Sequence, residues 1–294
     1  MADKPAEAWL VGRLLATTAA FLAGKGSSTP RLDAELLLAR VLKMSKVQLY
    51  VNFERAMTQA ELGEYRELVR RRAGHEPVAY ILGHKEFYGL QFKTTPAALI
   101  PRPETEHLVD EALRLAKELW PGLPELAAAD IGCGSGAIAL ALAKNLPQAR
   151  ITAVDISPEA LALAQENAAS LSLAERIDFR LGSLLEPTNG QKFHLICANL
   201  PYIPTAEMPG LMPEVGQHEP HLALDGGPEG LGPIEALLAQ APPQLHPRAH
   251  ILLEIWPDSL PALEKAAAAR SFTVLDTIRD LAGHNRIAIL TARA

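Results

Sequence analysis

The chain has few cysteines, few aromatic residues and no long hydrophobic run. Its only cysteines are Cys133 and Cys197, which excludes a disulfide-stapled scaffold, and we interpret both as reduced, buried small residues. No apolar run reaches the length of a membrane span, and the N-terminus lacks the basic-then-apolar pattern of a signal peptide. We therefore expect a cytoplasmic protein without membrane association, and we predict no metal site.

Basic residues are the minority charge in this sequence. The 28 lysines and arginines are outnumbered by 34 aspartates and glutamates, giving a net charge of -6. This balance argues against a protein that holds long nucleic acid by its phosphates, so we expect no stable nucleic-acid partner. Apolar residues make up 48% of the 294 positions, which is enough for a sizeable core and suggests about two domains.

The N-terminal quarter of the chain has a helical pattern. Apolar residues recur at helical spacing from Ala6 to His75, and Thr58 with Glu61 has the pattern of a capping box at a helix start. An alternating stretch then predicts a β-hairpin with a turn at its glycine. We predict a helical substrate-recognition domain over residues 1–80 and a β-hairpin linker over residues 81–104.

The rest of the chain, residues 105–294, alternates short apolar runs with helical stretches. This order predicts a Rossmann-like α/β domain in which a parallel sheet carries helices on both faces. The last two runs predict an antiparallel pair that closes the sheet. The predicted strands are 126–131, 151–155, 177–181, 193–198, 250–255, 272–278 and 286–291.

A glycine-rich loop directly after the first of these strands predicts a nucleoside site. Glycines let the backbone approach a ligand closely. Asp155 ends the next strand about twenty residues later, where a carboxylate can accept hydrogen bonds from both hydroxyls of a ribose. Ser183 and Leu184, after the third strand, are predicted to cover the base. The pattern does not choose between NAD and S-adenosylmethionine. The loop residues are Gly132, Cys133, Gly134, Ser135 and Gly136.

The tetrapeptide Asn199-Leu200-Pro201-Tyr202 follows the fourth strand at the carboxyl edge of the sheet, where open α/β sheets bind ligands. The Asn199 side chain offers a carbonyl acceptor, and the backbone carbonyl of Leu200 is restricted by the proline that follows it. These two acceptors could hold both hydrogens of a planar NH2 group while Tyr202 covers its flat face. An ordinary proline turn is the alternative.

This pair of acceptors suits the transfer of a carbon electrophile to a weakly nucleophilic nitrogen. The acceptors orient the nitrogen for attack, so that no strong base is needed. The pair has no purpose in hydride transfer. Together with the closing antiparallel strands it favours S-adenosylmethionine over NAD, and it predicts that Asn199 also contacts this cofactor.

These motifs resemble those of the protein-(glutamine-N5) methyltransferases that modify peptide chain release factors. The resemblance implies a class I methyltransferase with a seven-stranded sheet, S-adenosylmethionine as methyl donor, and methylation of the side-chain amide of the glutamine in the Gly-Gly-Gln motif of release factors. It implies that Asn199, Leu200, Pro201 and Tyr202 bind this glutamine and that the glycine loop and Asp155 bind the cofactor. We also expect a monomer. The other motifs that carry the resemblance are Pro77, Tyr80 and Gly83, the Phe87 to Phe92 hairpin, Ile100 to Glu106, Asp130, Glu219-Pro220, Ala223 to Gly227 and Arg286.

Three positions depart from the family pattern. Leu200 replaces a usual proline, Ser183 replaces a common acidic residue, and Trp256 replaces a usual glycine. An alternative function is methylation of an exocyclic amine of a base in RNA or DNA, since the same tetrapeptide could hold an adenine or guanine NH2. A cofactor-binding scaffold without activity is a third hypothesis.

Overall fold

The computed structural model describes residues 9–280 and 282–293. The first residues of the predicted helical region, Ala6 to Ala8, lie outside this range. The chain divides into two compact units, each described by itself below. One comprises the described residues up to Gly83 together with Pro213–His218, and the other comprises the rest. The domain boundaries at residues 80 and 104 stay predictions, and the inclusion of the short internal segment in the first unit was not foreseen from the sequence.

The first unit is helical, as its apolar periodicity predicts. Thr58 and Glu61 form the expected capping box, in which each side chain accepts a hydrogen bond from the other residue's backbone N–H. Near the end of the fourth helix, Arg72 is buried and forms ion pairs with Asp33 at 2.7 Å and Glu214 at 2.6 Å. The helices are α1 Val11–Ala23, α2 Pro30–Leu42, α3 Lys46–Val51, α4 Gln59–Ala73 and α5 Val78–Leu82, with a short helical turn at Pro213–Gly216.

The second unit contains a two-stranded hairpin and a seven-stranded sheet, in the order β5-β4-β3-β6-β7-β9-β8. The first five of these strands are parallel, and β9 runs antiparallel to both neighbours. This confirms the predicted fold class, including its antiparallel ending. The hairpin strands are β1 His84–Phe87 and β2 Leu90–Lys93; the sheet strands are β3 Leu126–Ile131, β4 Ala149–Asp155, β5 Ile177–Leu181, β6 Phe193–Ala198, β7 Leu245–Glu254, β8 Phe272–Arg279 and β9 Asn285–Ala292.

Helices cover both faces of the sheet, which is why most residues of its central strands are apolar. Alternate residues of β6 enter different clusters: Leu195 packs with one face and Ile196 with the other. The hairpin, α6 and α7 contribute to the first cluster, and α9 and α10 to the second. The result is a buried sheet whose loops are free to form a site at its edge. The helices are α6 Glu106–Leu119, α7 Ala137–Asn145, α8 Pro158–Ser170, α9 Gly232–Gln240 and α10 Leu260–Ala268.

Candidate functional site

A cavity of about 480 Å³ lies at the carboxyl ends of β3, β4 and β6. In the sheet order, β4 is the neighbour of β3 on one side and β6 is its neighbour on the other. The strand order therefore reverses at β3, and open α/β sheets bind ligands at such a switch point. The volume falls within the range of about 300–1,000 Å³ that is usual for small-molecule sites. Of the residues predicted for the site, the lining includes Gly132, Cys133, Gly134, Ser135, Asp155, Ser183, Leu184, Asn199, Leu200 and Pro201.

The glycine loop forms one wall of the cavity because its backbone is folded tightly against the end of β4. Gly132 and Gly134 have positive φ angles of 74° and 54°, which favour glycine. A Cβ on Gly132 would come within 2.9 Å of a methyl of the Leu200 side chain. Gly136, also at positive φ, is not among the cavity-lining residues, and a Cβ there would crowd Ala164 in α8 instead.

Asp155 ends β4 and is almost fully buried at the cavity. One carboxylate oxygen accepts a hydrogen bond from the Gly134 N–H at 2.7 Å, and the other accepts from the Ser157 N–H at 2.9 Å. Burial raises the pKa of this carboxyl above its usual value, and the backbone donors partly oppose that shift. Each oxygen keeps a lone pair that can accept from a ligand hydroxyl.

A second buried carboxyl, Asp130, lies near the end of β3, shortly before the glycine loop. Its Oδ2 accepts from the Ala139 N–H at 2.9 Å, which ties β3 to α7. Its Oδ1 has no hydrogen-bond partner among the described residues. Complete burial raises the pKa of Asp130 to about 7, because a charge without compensating donors is costly in an apolar interior.

The tetrapeptide lies beside the glycine loop, with the Leu200 side chain against Gly132. Asn199, Leu200 and Pro201 line the cavity. The Asn199 amide donates from Nδ2 to Thr105 Oγ1 at 3.2 Å, which leaves its Oδ1 as an acceptor. Tyr202 is not among the lining residues; its hydroxyl donates to Glu254 Oε1 at 2.8 Å. The structure therefore brings Asn199, Leu200 and Pro201 to the cavity, whereas the predicted roles of the Asn199 and Leu200 oxygens as acceptors for a substrate stay predictions.

Ile203, the residue that follows the tetrapeptide, is hydrogen-bonded through its backbone to a later part of the same loop. The Gly226 N–H donates to the Ile203 carbonyl at 2.8 Å, and the Ile203 N–H donates to the Leu224 carbonyl at 3.0 Å. A Cβ on Gly226 would lie 2.8 Å from both the Pro201 carbonyl oxygen and the Tyr202 Cα. Glycine is therefore required for this approach of two backbone segments.

An ion pair joins two further segments of the cavity wall. Arg102 donates to Glu219 Oε1, and the other oxygen of this carboxylate accepts from the Ile100 N–H at 3.1 Å. Glu219 is buried, whereas Arg102 and Pro220 line the cavity. This contact gives the Arg102 and Glu219 motifs a shared structural purpose.

Sequence reasoning missed Glu254 and assigned no role to Thr105. Thr105 Oγ1 donates to Glu254 Oε2 at 2.6 Å, so both residues are linked to the tetrapeptide. A signal for Glu254 existed, because it is a charged residue that ends a buried apolar strand beside β6. Trp256, at one of the unusual positions, lies nearby with its ring 6.5 Å from that of Tyr202.

Two predicted absences concern metals and membranes. Within residues 9–280 and 282–293, no three potential metal-ligating side chains cluster together. His246 and His250 have the i, i+4 spacing of ligands on a metal-binding helix, but both lie in β7. In the same part of the chain, no helix combines the length and apolar character needed to cross a bilayer.

Comparison with known proteins identifies the family. Residues 13–83 match the family model of the PrmC N-terminal domain, and residues 128–218 match that of a methyltransferase domain. The release factor glutamine methyltransferase of Geobacter sulfurreducens is 46% identical over 87% of this chain and 87% of its own length. The protein of the same name from Rhodopirellula baltica is 40% identical over 95% of both chains.

Solved structures agree on the fold. The ribosomal protein L11 methylase of Lactobacillus delbrueckii subsp. bulgaricus has a TM-score of 0.50 at 23% identity, covering 68% of this chain and 83% of its own. A methyltransferase from Pyrococcus furiosus has a TM-score of 0.50 at 17% identity, covering 71% and 92%. Together with the relatives, these findings confirm the predicted methyltransferase fold and the predicted family. The chain belongs to the family of release factor glutamine methyltransferases.

Proposed function

We propose that this chain transfers a methyl group from S-adenosylmethionine to the side-chain amide nitrogen (N5) of the glutamine in the Gly-Gly-Gln motif of a peptide chain release factor. The observation that carries the proposal is that Asn199 and Leu200 line the same cavity as the glycine loop and Asp155, and that Thr105 holds the Asn199 Nδ2, which leaves the Asn199 Oδ1 as an acceptor. The substrate is the one named for the relatives. A monomeric state, the lack of a nucleic-acid partner and a cytoplasmic location stay predictions.

The residues of the cavity suit S-adenosylmethionine. The Asp155 carboxylate, held by two backbone N–H donors, would accept the ribose hydroxyls. The loop from Gly132 to Ser135 would lie against the amino-acid portion of the cofactor, and Ser183 with Leu184 would cover its adenine. When bound, the cofactor supplies a methyl carbon on a positively charged sulfur. Membership of a methyltransferase family supports this cofactor over NAD.

Two oxygens of the chain would activate the substrate by orientation. An amide nitrogen is a weak nucleophile because its lone pair is delocalised. Asn199 Oδ1 and the Leu200 carbonyl would each accept one amide hydrogen, so that the nitrogen lone pair faces the methyl carbon. Tyr202, fixed through its hydroxyl by Glu254, would pack against the amide plane. Fixed geometry of this kind can supply a large part of a rate enhancement without a strong base. The surplus proton leaves the nitrogen after attack.

The proposal is tested by Asn199→Ala, with radiolabelled cofactor and a release factor that carries either Gly-Gly-Gln or Gly-Gly-Ala. We expect the parent enzyme to label only the glutamine form. In the variant we expect turnover to fall by at least about 10²-fold, as for loss of one aligned hydrogen-bond group. Calorimetry should find cofactor affinity nearly unchanged. Turnover within a few-fold of the parent, or equal labelling of the Gly-Gly-Ala form, would refute the assignment.

A further inference from the structure

A buried carboxylate connects the two polar side chains of the tetrapeptide. Glu254 and Thr105 are nearly inaccessible to solvent, at 2% and 4% exposure. One oxygen of Glu254 accepts from the Thr105 hydroxyl and the other from the Tyr202 hydroxyl, at 2.6 and 2.8 Å. Thr105 Oγ1 in turn lies 3.2 Å from Asn199 Nδ2. The four residues form one chain of hydrogen bonds.

The sheet register explains why this chain forms. β6 and β7 are parallel neighbours, with Ala198 opposite Leu253, so Asn199 and Glu254 both follow directly at the same edge. Thr105 comes from the short turn that precedes α6 and lies between them. The ends of β6 and β7 thus place Asn199 and Glu254, and the turn before α6 places Thr105.

The direction of the hydrogen bonds is fixed by Glu254. Burial raises the pKa of Glu254 above its usual value, and the hydrogen bonds from Thr105 and Tyr202 oppose that shift by favouring the ionised form. The ionised carboxylate only accepts hydrogen bonds, and a threonine hydroxyl has a single proton to donate. Since the Thr105 proton is committed to Glu254, Thr105 Oγ1 can only accept from Asn199. The NH2 end of the Asn199 amide must therefore face Thr105, which leaves its carbonyl oxygen for the substrate.

We propose that Glu254, acting through Thr105, is a positioning residue that makes the site select a carboxamide over a carboxylate. An Asn199 held with Oδ1 towards the substrate attracts the NH2 group of glutamine and repels the oxygen of glutamate, which has the same shape. The same carboxylate also fixes Tyr202. This inference rests on the proposed function, because it takes the substrate to be a glutamine side chain.

The isosteric change Glu254→Gln tests the polarity directly. The new amide can donate to Thr105 Oγ1, which releases the threonine proton to bond Asn199 Oδ1 and turns the asparagine NH2 towards the substrate. We expect turnover to fall by at least about 10²-fold, with cofactor affinity within about two-fold of the parent. The matched control is Glu111→Gln. Glu111 is a buried carboxylate in α6 that pairs with Arg114 and lies outside the hydrogen-bond network of Glu254.

The decisive measurement compares release factors carrying glutamine or glutamate at the target position, the second as a competitive inhibitor. In the parent we expect the glutamine form to bind more tightly. In Glu254→Gln we expect this preference to shrink at least ten-fold or to reverse, an effect that general loosening of the site does not predict. An unchanged preference together with turnover within three-fold of the parent would overturn the inference.

A second pair of variants, both at Thr105, tests the inference in case Glu254→Gln folds poorly. Thr105→Val removes the relay and should lower kcat at least about thirty-fold, whereas Thr105→Ser keeps the hydroxyl and should recover most of that loss. Equal kcat values for the valine and serine variants would also overturn the inference. Failure of the proposed function would be recognised differently, because the parent enzyme itself would then not methylate the glutamine form of the release factor.

Discussion

The close approach of Gly226 to the tetrapeptide gives a sharp test of how strictly the site is positioned. A Cβ at this position would lie 2.8 Å from three backbone atoms, in Gly230, Pro201 and Tyr202. Ordinary contact begins near 3.4 Å, so Gly226→Ala must move the tetrapeptide or the loop by about 0.6 Å. No flexible side chain is available to yield, because all three neighbouring atoms belong to the backbone.

The expected cost falls on catalysis more than on folding. Overpacking of this kind destabilises a protein by about 1–3 kcal/mol, whereas a displacement of about 1 Å at a reacting group can cost about 10²-fold in rate. We therefore expect Gly226→Ala to fold, to bind the cofactor normally, and to lose about ten- to one hundred-fold in kcat.

The adjacent Gly227 provides a matched control. Its φ is 87°, so Gly227→Ala carries a left-handed backbone cost of about 1–2 kcal/mol, but a Cβ there meets no atom within 4 Å. Both variants should lower the melting temperature by a similar amount, and only the Gly226 variant should lose kcat. Methyl transfer to a release factor at saturating cofactor, with thermal unfolding in parallel, measures both effects. Equal kcat values for the two variants would refute the role assigned to this contact.

Three further predictions follow from buried charges. Asp155→Ala should raise the cofactor Kd by about thirty-fold, as expected for a loss of about 2 kcal/mol, while Glu166→Ala on the surface of α8 should leave calorimetric titrations unchanged. The raised pKa of Asp130, about 7, favours its neutral form in the folded state. The contribution of Asp130 to the free energy of unfolding should therefore fall by about 3 kcal/mol from pH 4 to pH 7, and Asp130→Asn should remove most of that fall in denaturant titrations at each pH. Arg72→Met removes the cation that pairs with Asp33 and Glu214 and should cost about 3–5 kcal/mol, whereas the exposed Arg70→Met should change the melting temperature little. Similar losses of stability for both variants would contradict the importance of the ion pairs of Arg72.

Much of the sheet could be predicted from the sequence because buried parallel strands appear as uninterrupted apolar runs. The bounds of β3 and β6 match the predicted ones for this reason, and those of β5, an edge strand of alternating residues, match as well. β7 begins at Leu245, five residues before the predicted start at His250. Those extra residues include a proline and polar side chains, and they join the strand through pairing of Leu245 with Phe193 across an irregularity in register. A local pattern does not contain that information.

The candidate site likewise contains residues that the sequence predicts and contacts that it does not predict. The tetrapeptide, glycine loop and Asp155 could be chosen because their residue types specify the chemistry of a ligand. The contacts that position them could not be predicted, since Thr105 is 94 residues from Asn199 and 149 from Glu254 in sequence. Likewise, no local feature of the segment Pro213–His218 indicates that it belongs with the helical unit.

The leucine at position 200 is consistent with this geometry even though the family usually has proline there. If the role of the residue is to present a backbone carbonyl, the requirement is an extended conformation, and Pro201 imposes that on whatever precedes it. The Leu200 side chain is 5% exposed and fills the space beside Gly132, where a Cβ would meet its methyl at 2.9 Å. Leucine thus keeps the backbone carbonyl and adds an apolar contact between the tetrapeptide and the glycine loop. It also makes glycine at position 132 more strictly required here, because the space that a small side chain would need is already occupied.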